Sequence, residues 1–143
     1  LRAPTHPDPD ADLGTHQFCY AFYPHNNPFQ QSDVIEQAQQ LNQAPLSLQG
    51  KPITPIGPPV IVESADVGLE VLKKAEKEDC LVLRVVERKG RKSEATLRLI
   101  DPNLTIQATD LMEWNDSGEA VGGELKLTLK PFEIRTFKLS HAT

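Results

Sequence analysis

The sequence is poor in the residues that carry most local chemistry: two cysteines, one methionine, one tryptophan and four histidines among 143 residues. Two cysteines make no disulfide framework. Cys19 and Cys80 each stand beside apolar strand-type residues and are read as buried free thiols. No serine sits in a nucleophile elbow, no glycine-rich loop precedes a helix, and no carboxylate pair has a local spacing suited to acid–base work. No self-sufficient active site can therefore be read from local chemistry. No apolar run reaches membrane-spanning length, because charged residues interrupt every candidate. Positive charge is also short, with 15 Lys and Arg against 20 Asp and Glu. The formal net charge of -5 argues against a nucleic-acid partner, since phosphate binding needs a concentrated positive surface. The one basic cluster, Arg88, Lys89, Arg91 and Lys92 around Gly90, has the pattern of a solvated hairpin tip. No basic and then apolar leader can be read at Leu1, and the expected compartment is cytoplasmic, of bacterial type.

Turning to what is present, twelve prolines against eight glycines, with 38% apolar and 24% charged residues, describe a soluble globular chain richer in strands and turns than in helices. One stretch stands apart. From Phe18 to Tyr23 every residue is apolar or aromatic, with Phe18, Tyr20 and Phe22 on one face of a strand and Cys19, Ala21 and Tyr23 on the other. Such a strand wants cover on both faces, as a central strand of a large sheet has. The residues before it are dominated by breakers and acids, including Pro4, Pro7, Asp8, Pro9 and Asp10, and hold too little apolar surface to provide that cover. Either later residues wrap back over the strand or its neighbours lie elsewhere. The second reading is adopted, and it makes the chain the tail of something longer.

Taken in order, the chain divides into three expected parts. Residues 1–46 hold a proline-punctuated lead-in, the buried strand ended by Pro24, and a short helix. That helix has apolar positions Val34, Ile35, Ala38 and Leu41 at helical spacing. Ser32 or Asp33 is its cap, Asp33 and Glu36 resemble a capping box, and Asn42 is its stop. Its single narrow stripe suits a surface helix. Residues 47–59, with Gly50, Pro52, Pro55, Gly57, Pro58 and Pro59, read as an extended connector. Residues 60–143 read as an antiparallel β-sandwich of about seven short strands. The runs are Val60–Glu63, Val67–Leu72, Cys80–Glu87, Ala95–Ile100, Thr105–Trp114, Glu124–Lys130 and Glu133–Leu139. Turn residues separate them, among them Lys89-Gly90-Arg91, Asp116-Ser117-Gly118 and Lys130-Pro131. The fold class is all-β.

The densest polar constellation is Asp8, Asp10, Asp12 and His16. A calcium loop fits poorly, because Gly14 comes one residue late, Pro9 stiffens the loop and Cys19 occupies the closing position. A zinc site from His16, His25 and an aspartate lacks a close ligand pair to fix one end, so these histidines are expected to cap the strand by hydrogen bonds. Glu113-Trp114 could stack a sugar but is commoner as ordinary packing. Asn103-Leu104-Thr105 and Asn115-Asp116-Ser117 match the glycosylation sequon, which matters only in a secreted protein.

Resemblance carries the reading further. The stretch Leu1-Arg2-Ala3-Pro4-Thr5-His6-Pro7-Asp8-Pro9-Asp10-Ala11-Asp12-Leu13-Gly14-Thr15-His16-Gln17-Phe18, followed by Tyr20-Ala21 and Pro24-His25, resembles the late region of family 38 glycoside hydrolases, the α-mannosidases. Leu41-Asn42 with Pro45-Leu46 is similar to the family segment that leaves that domain. Leu129 to Leu139 resembles the family's closing strand pair. The resemblance implies that residues up to about Leu46 end a β-supersandwich domain and that the rest is the terminal β-sandwich. It implies that the parent hydrolyses α-mannosides with retention, using an aspartate nucleophile, an acid–base carboxylate and zinc. Those groups belong to an N-terminal α/β domain outside this chain, so no catalytic or metal residue and no cofactor is assigned here. That catalytic domain is the expected partner, and an α-mannoside is the parent's expected substrate. Arg2, Asp8, Asp12 and His16 are expected at the interface with the catalytic domain. The competing reading has Asp12 and His16 merely closing a turn before the strand. Neither a nucleic acid nor a membrane is expected as partner, while an open sheet edge would allow copies to pair as a homo-oligomer. A different class, an autonomous carbohydrate-binding or adhesion sandwich, would want an aromatic platform, for which only Trp114 is available.

Overall fold

The computed structural model describes residues 13–43, 45, 47, 49, 50 and 57–141. The described residues form eight strands: β1 (Val60–Glu63), β2 (Val67–Lys74), β3 (Leu81–Glu87), β4 (Ser93–Leu99), β5 (Leu104–Thr109), β6 (Asp116–Gly122), β7 (Glu124–Leu129) and β8 (Ile134–His141). They form two antiparallel sheets, one of three strands in the order β1-β4-β7 and one of five in the order β2-β3-β8-β5-β6. In β4 the expected parity holds, with Ala95, Leu97 and Leu99 buried between Glu94, Thr96 and Arg98. The inner faces meet in one core, in which Leu83, Val85, Leu97, Ile106, Leu129 and Phe137 are fully buried. β3 is an interior strand, as its apolar run requires, and β8 lies at the centre of the larger sheet.

Three expectations about the sandwich change. The run Thr105–Trp114 is too long: β5 ends at Thr109, where Asp110 turns the chain by accepting hydrogen bonds from the Trp114 N–H (2.9 Å) and the Asn115 side chain. Asp116-Ser117-Gly118 is not a turn but the start of β6. That edge strand has every residue exposed, so burial imposes no alternation on it. The link from Arg88 to Lys92 joins β3 of one sheet to β4 of the other, which makes it an inter-sheet corner and not a hairpin tip. A second inter-sheet corner, residues 130–133, joins β7 and β8, the closing strands, which lie in different sheets.

The segment before the sandwich behaves differently. Residues 13–25 run without regular structure, and Phe18, Tyr20 and Phe22 are 75%, 83% and 91% exposed. The expected strand at Phe18–Tyr23 therefore does not form within this chain, because a strand needs a partner for its backbone N–H and C=O groups, and the sandwich does not wrap over it. Cys19 is exposed with it, against the expectation of burial, while Cys80 is half-buried. A 3-10 turn at Phe29–Gln31 then leads into helix α1 (Val34–Asn42), which ends at Asn42 as expected. Asp33 is the N-cap but makes no capping hydrogen bond, so the capping box does not form. Its carboxylate is engaged by the Tyr23 hydroxyl at 2.8 Å and the Gln37 amide at 3.1 Å.

Candidate functional site

The sandwich corners are organised by one carboxylate. The parity that buries Leu83 and Val85 also turns Glu87 inward, and its side chain is fully buried. It is satisfied there by backbone: the N–H groups of Lys89 (2.8 Å), Gly90 (2.8 Å) and Arg91 (3.3 Å) from one corner, and of Phe132 (2.9 Å) from the other. Burial pushes the Glu87 carboxyl up, but the four N–H donors outweigh it and hold the group below its ordinary value. Glu87 thereby stitches the two inter-sheet corners together. Gly90 stands at φ +72°, and a Cβ there would lie 2.7 Å from the Phe132 ring, so this close approach needs glycine.

The stitched corner presents Lys89, which is 5% exposed. Its ammonium donates to the Ser32 carbonyl at 2.6 Å, lies 3.8 Å from the Glu36 carboxylate and sits 5.8 Å from the Phe29 ring centre. Three of the four cations of the expected basic tip are committed, since besides Lys89, Arg88 pairs with Glu70 at 2.7 Å and Arg91 with Asp66 at 2.7 Å, while Lys92 is exposed. Gly68 leaves the room that the Arg88 guanidinium occupies. Lys89 fastens the lead segment to the sandwich, since Ser32, buried beneath it, begins the turn into α1. Tyr23, bonded to Asp33, carries that hold back to the aromatic run, and the Asp33 bond raises the phenol pKa while lowering that of the carboxyl.

What this arrangement holds out to solvent is an apolar face. Ala21, Phe22 and Tyr23 line a cleft of about 410 Å³ against Val34, Ala38 and Leu41 of α1. No residue of α1 is buried. Of the residues expected at an interface, His16 is exposed on irregular backbone two positions before Phe18. Arg2, Asp8 and Asp12 lie outside the described residues. His25 bonds by Nδ1 to the Asn27 carbonyl at 2.6 Å, closing the turn that follows Pro24. Among the described residues no group of three or more His, Cys, Asp and Glu could hold a metal ion.

A second polar cluster escaped sequence reasoning. Glu113 is 5% exposed at φ +66°, a left-handed conformation that costs an ordinary residue about 1–2 kcal/mol. It is held there by Lys73 (3.0 Å), Arg84 (2.9 Å) and the Glu76 N–H (3.2 Å). The Lys73 bond leads in lowering its pKa, against burial, which raises it. Arg84 also donates to the Leu111 carbonyl at 3.0 Å. Beside it, Lys138 is buried on the outer face of the larger sheet and pairs with Glu78 (2.6 Å) and Asp116 (2.9 Å). These ion pairs are structural. The Glu113 carboxylate is fully occupied, and the Trp114 ring carries the Lys77 ammonium 4.3 Å from its centre, so the two do not form a sugar-stacking pair. Glu87 was in principle legible, because a charge falls on the inward parity of β3. Nothing local marked Lys89 or Glu113, whose partners are distant in sequence.

Comparison with known proteins agrees with this architecture. The sequence model of the glycosyl hydrolases family 38 C-terminal beta sandwich domain matches residues 66–137. The chain is 36% identical over 147 residues to "Alpha-mannosidase 2C1" of Mus musculus, and equally to the Homo sapiens protein of that name, with 97% of this chain covered in each case. It is 30% identical over 149 residues to "Alpha-mannosidase G" of Dictyostelium discoideum, with 96% covered. The chain spans about 14% of the length of each of these relatives. An antiparallel two-sheet sandwich on the matched residues, with its lead segment also covered by the relatives, makes this chain a C-terminal portion of a family 38 glycoside hydrolase.

Proposed function

We propose that the chain is the non-catalytic C-terminal β region of an α-mannosidase-like retaining hydrolase, and that its lead segment completes and steadies the catalytic part of the same polypeptide. The observation that carries this reading is the exposed run Phe18–Tyr23, a strand-type sequence with no strand partner among the described residues, held in place through Tyr23, Asp33 and the buried Lys89. In this account residues 1–46 end the domain that precedes the sandwich, residues 47–59 connect, and residues 60–143 form the terminal sandwich. The nucleophile, the acid–base carboxylate and the zinc that family resemblance implies belong upstream. The described residues supply no donor set for that ion. Arg2, Asp8, Asp12 and His16 are assigned to the interface with the catalytic domain, and an α-mannoside to the parent as substrate.

The test compares this chain with the polypeptide extended upstream to the length of its relatives, using hydrolysis of an aryl α-mannoside. The extended form is expected to be active and the chain alone inactive. In the extended form, Phe18→Ser with Phe22→Ser should lower both activity and melting temperature. Hydrolysis by the chain alone would overturn the reading, as would an extended double variant unchanged in both respects.

A further inference from the structure

We infer that the loop joining β5 and β6 is a second docking element, a finger that places Leu111, Met112 and Trp114 in an apolar depression on the upstream part of the same polypeptide. This inference rests on the proposed function, because its occupant is the catalytic portion proposed there. Leu111, Met112 and Trp114 are 57%, 58% and 58% exposed within a loop of six residues. Large apolar side chains gathered at one point on a surface are the usual mark of an interaction site. A connection between two neighbouring antiparallel strands needs nothing of the kind, since short polar turns make it routinely.

The loop is also held rigid. Asp110 accepts from the Trp114 N–H and the Asn115 amide, and the Glu113 N–H donates to the Asp110 carbonyl at 3.1 Å. Between the exposed residues, Glu113 is drawn down onto Lys73, Arg84 and the Glu76 N–H, while Arg84 grips the Leu111 carbonyl. The buried salt bridge fixes the finger to the outer face of the larger sheet, so its apolar residues are set before any partner arrives, which lowers the entropy cost of docking. The chemistry of the partner follows from the exposed side chains of the finger. Around it the charges are mixed, with Lys77 over the Trp114 ring and the exposed carboxylates of Glu76, Glu78 and Asp79 beside it, so the apolar side chains carry the contact. The occupant follows from length: the chain spans about 14% of its relatives, so a covalently linked surface of far greater area stands at high effective concentration.

Met112 is the single methionine of this chain, which makes it a residue-specific probe. Hydroxyl-radical footprinting read by mass spectrometry is compared between the chain alone and the upstream-extended polypeptide. Oxidation of Met112 is expected to fall at least about fivefold in the extended form, since exposure governs its rate. Leu111→Asp in the extended form should restore it while Phe18 and Phe22 stay protected. Equal oxidation of Met112 in both forms, with Phe18 and Phe22 protected, would overturn the finger and leave the proposed function standing. Loss of protection at all three positions would overturn both.

Discussion

Two phenylalanines in this chain sit in similar strand-type sequence and meet opposite fates. Phe137 of β8 is fully buried between two sheets, whereas Phe22 of the lead segment is 91% exposed. The difference is not in the residues or their alternation. β8 has β3 and β5 beside it and a second sheet across the core, all supplied by residues 60–141. Among the described residues, Phe18–Tyr23 is hydrogen-bonded to Asp33 of the helix cap through Tyr23 and has no strand beside it. An apolar strand pattern states what cover a segment needs and not where that cover comes from. The sandwich covers its own core, whereas the aromatic residues of the lead segment stay exposed among the described residues.

The largest expected effect sharpens that contrast. Phe137→Ala should destabilise the chain by about 4 kcal/mol through the cavity it opens, while Phe22→Ala should stay within about 0.5 kcal/mol, both read by thermal or denaturant unfolding. Equal losses would erase the distinction between the two regions. Next comes the corner carboxylate. Glu87→Gln should cost about 2–3 kcal/mol near neutral pH, because a neutral amide satisfies four converging N–H donors less well than a carboxylate. Its folded pKa is depressed, so the stability it contributes is complete above the ordinary glutamate value of about 4.3 and is lost as pH falls through the lower folded value. Below about pH 4.3, wild-type stability should therefore fall more steeply than that of Glu87→Gln. A smaller effect is expected at the fastening between the regions. Lys89→Met should cost about 1–2 kcal/mol and speed amide exchange in Val34–Asn42 while leaving β3 and β8 protected. Gly90→Ala, forced to φ +72° against the Phe132 ring, should cost a similar or smaller amount, about 1–2 kcal/mol.

The sequence made the sandwich legible where one face is buried and one is wet, as in β4 and β7, and where a run is apolar on both faces, as in β3. It hid β6, whose residues are all exposed and which includes Gly118 and Gly122, because an edge strand with no buried face leaves no period to read. It also made corners look like hairpins. Whether β3 pairs with β4 or crosses to the other sheet depends on partners far along the chain, and local turn residues serve both cases. The candidate face was readable in Phe18–Tyr23 because its apolar content exceeds anything nearby that could cover it. The clamp that carries it was not, since Lys89 and Ser32 stand 57 residues apart and nothing local marks either as a partner. Family resemblance supplied the identity that these local signals lack.

The central claim, that the cover for Phe18–Tyr23 lies outside this chain, is tested most directly by amide hydrogen exchange of those six residues in the chain alone and in the upstream-extended polypeptide. The account predicts exchange near the unprotected rate in the chain alone and strand-like protection in the extended form. Strong protection already present in the chain alone, or none in the extended form, would contradict it.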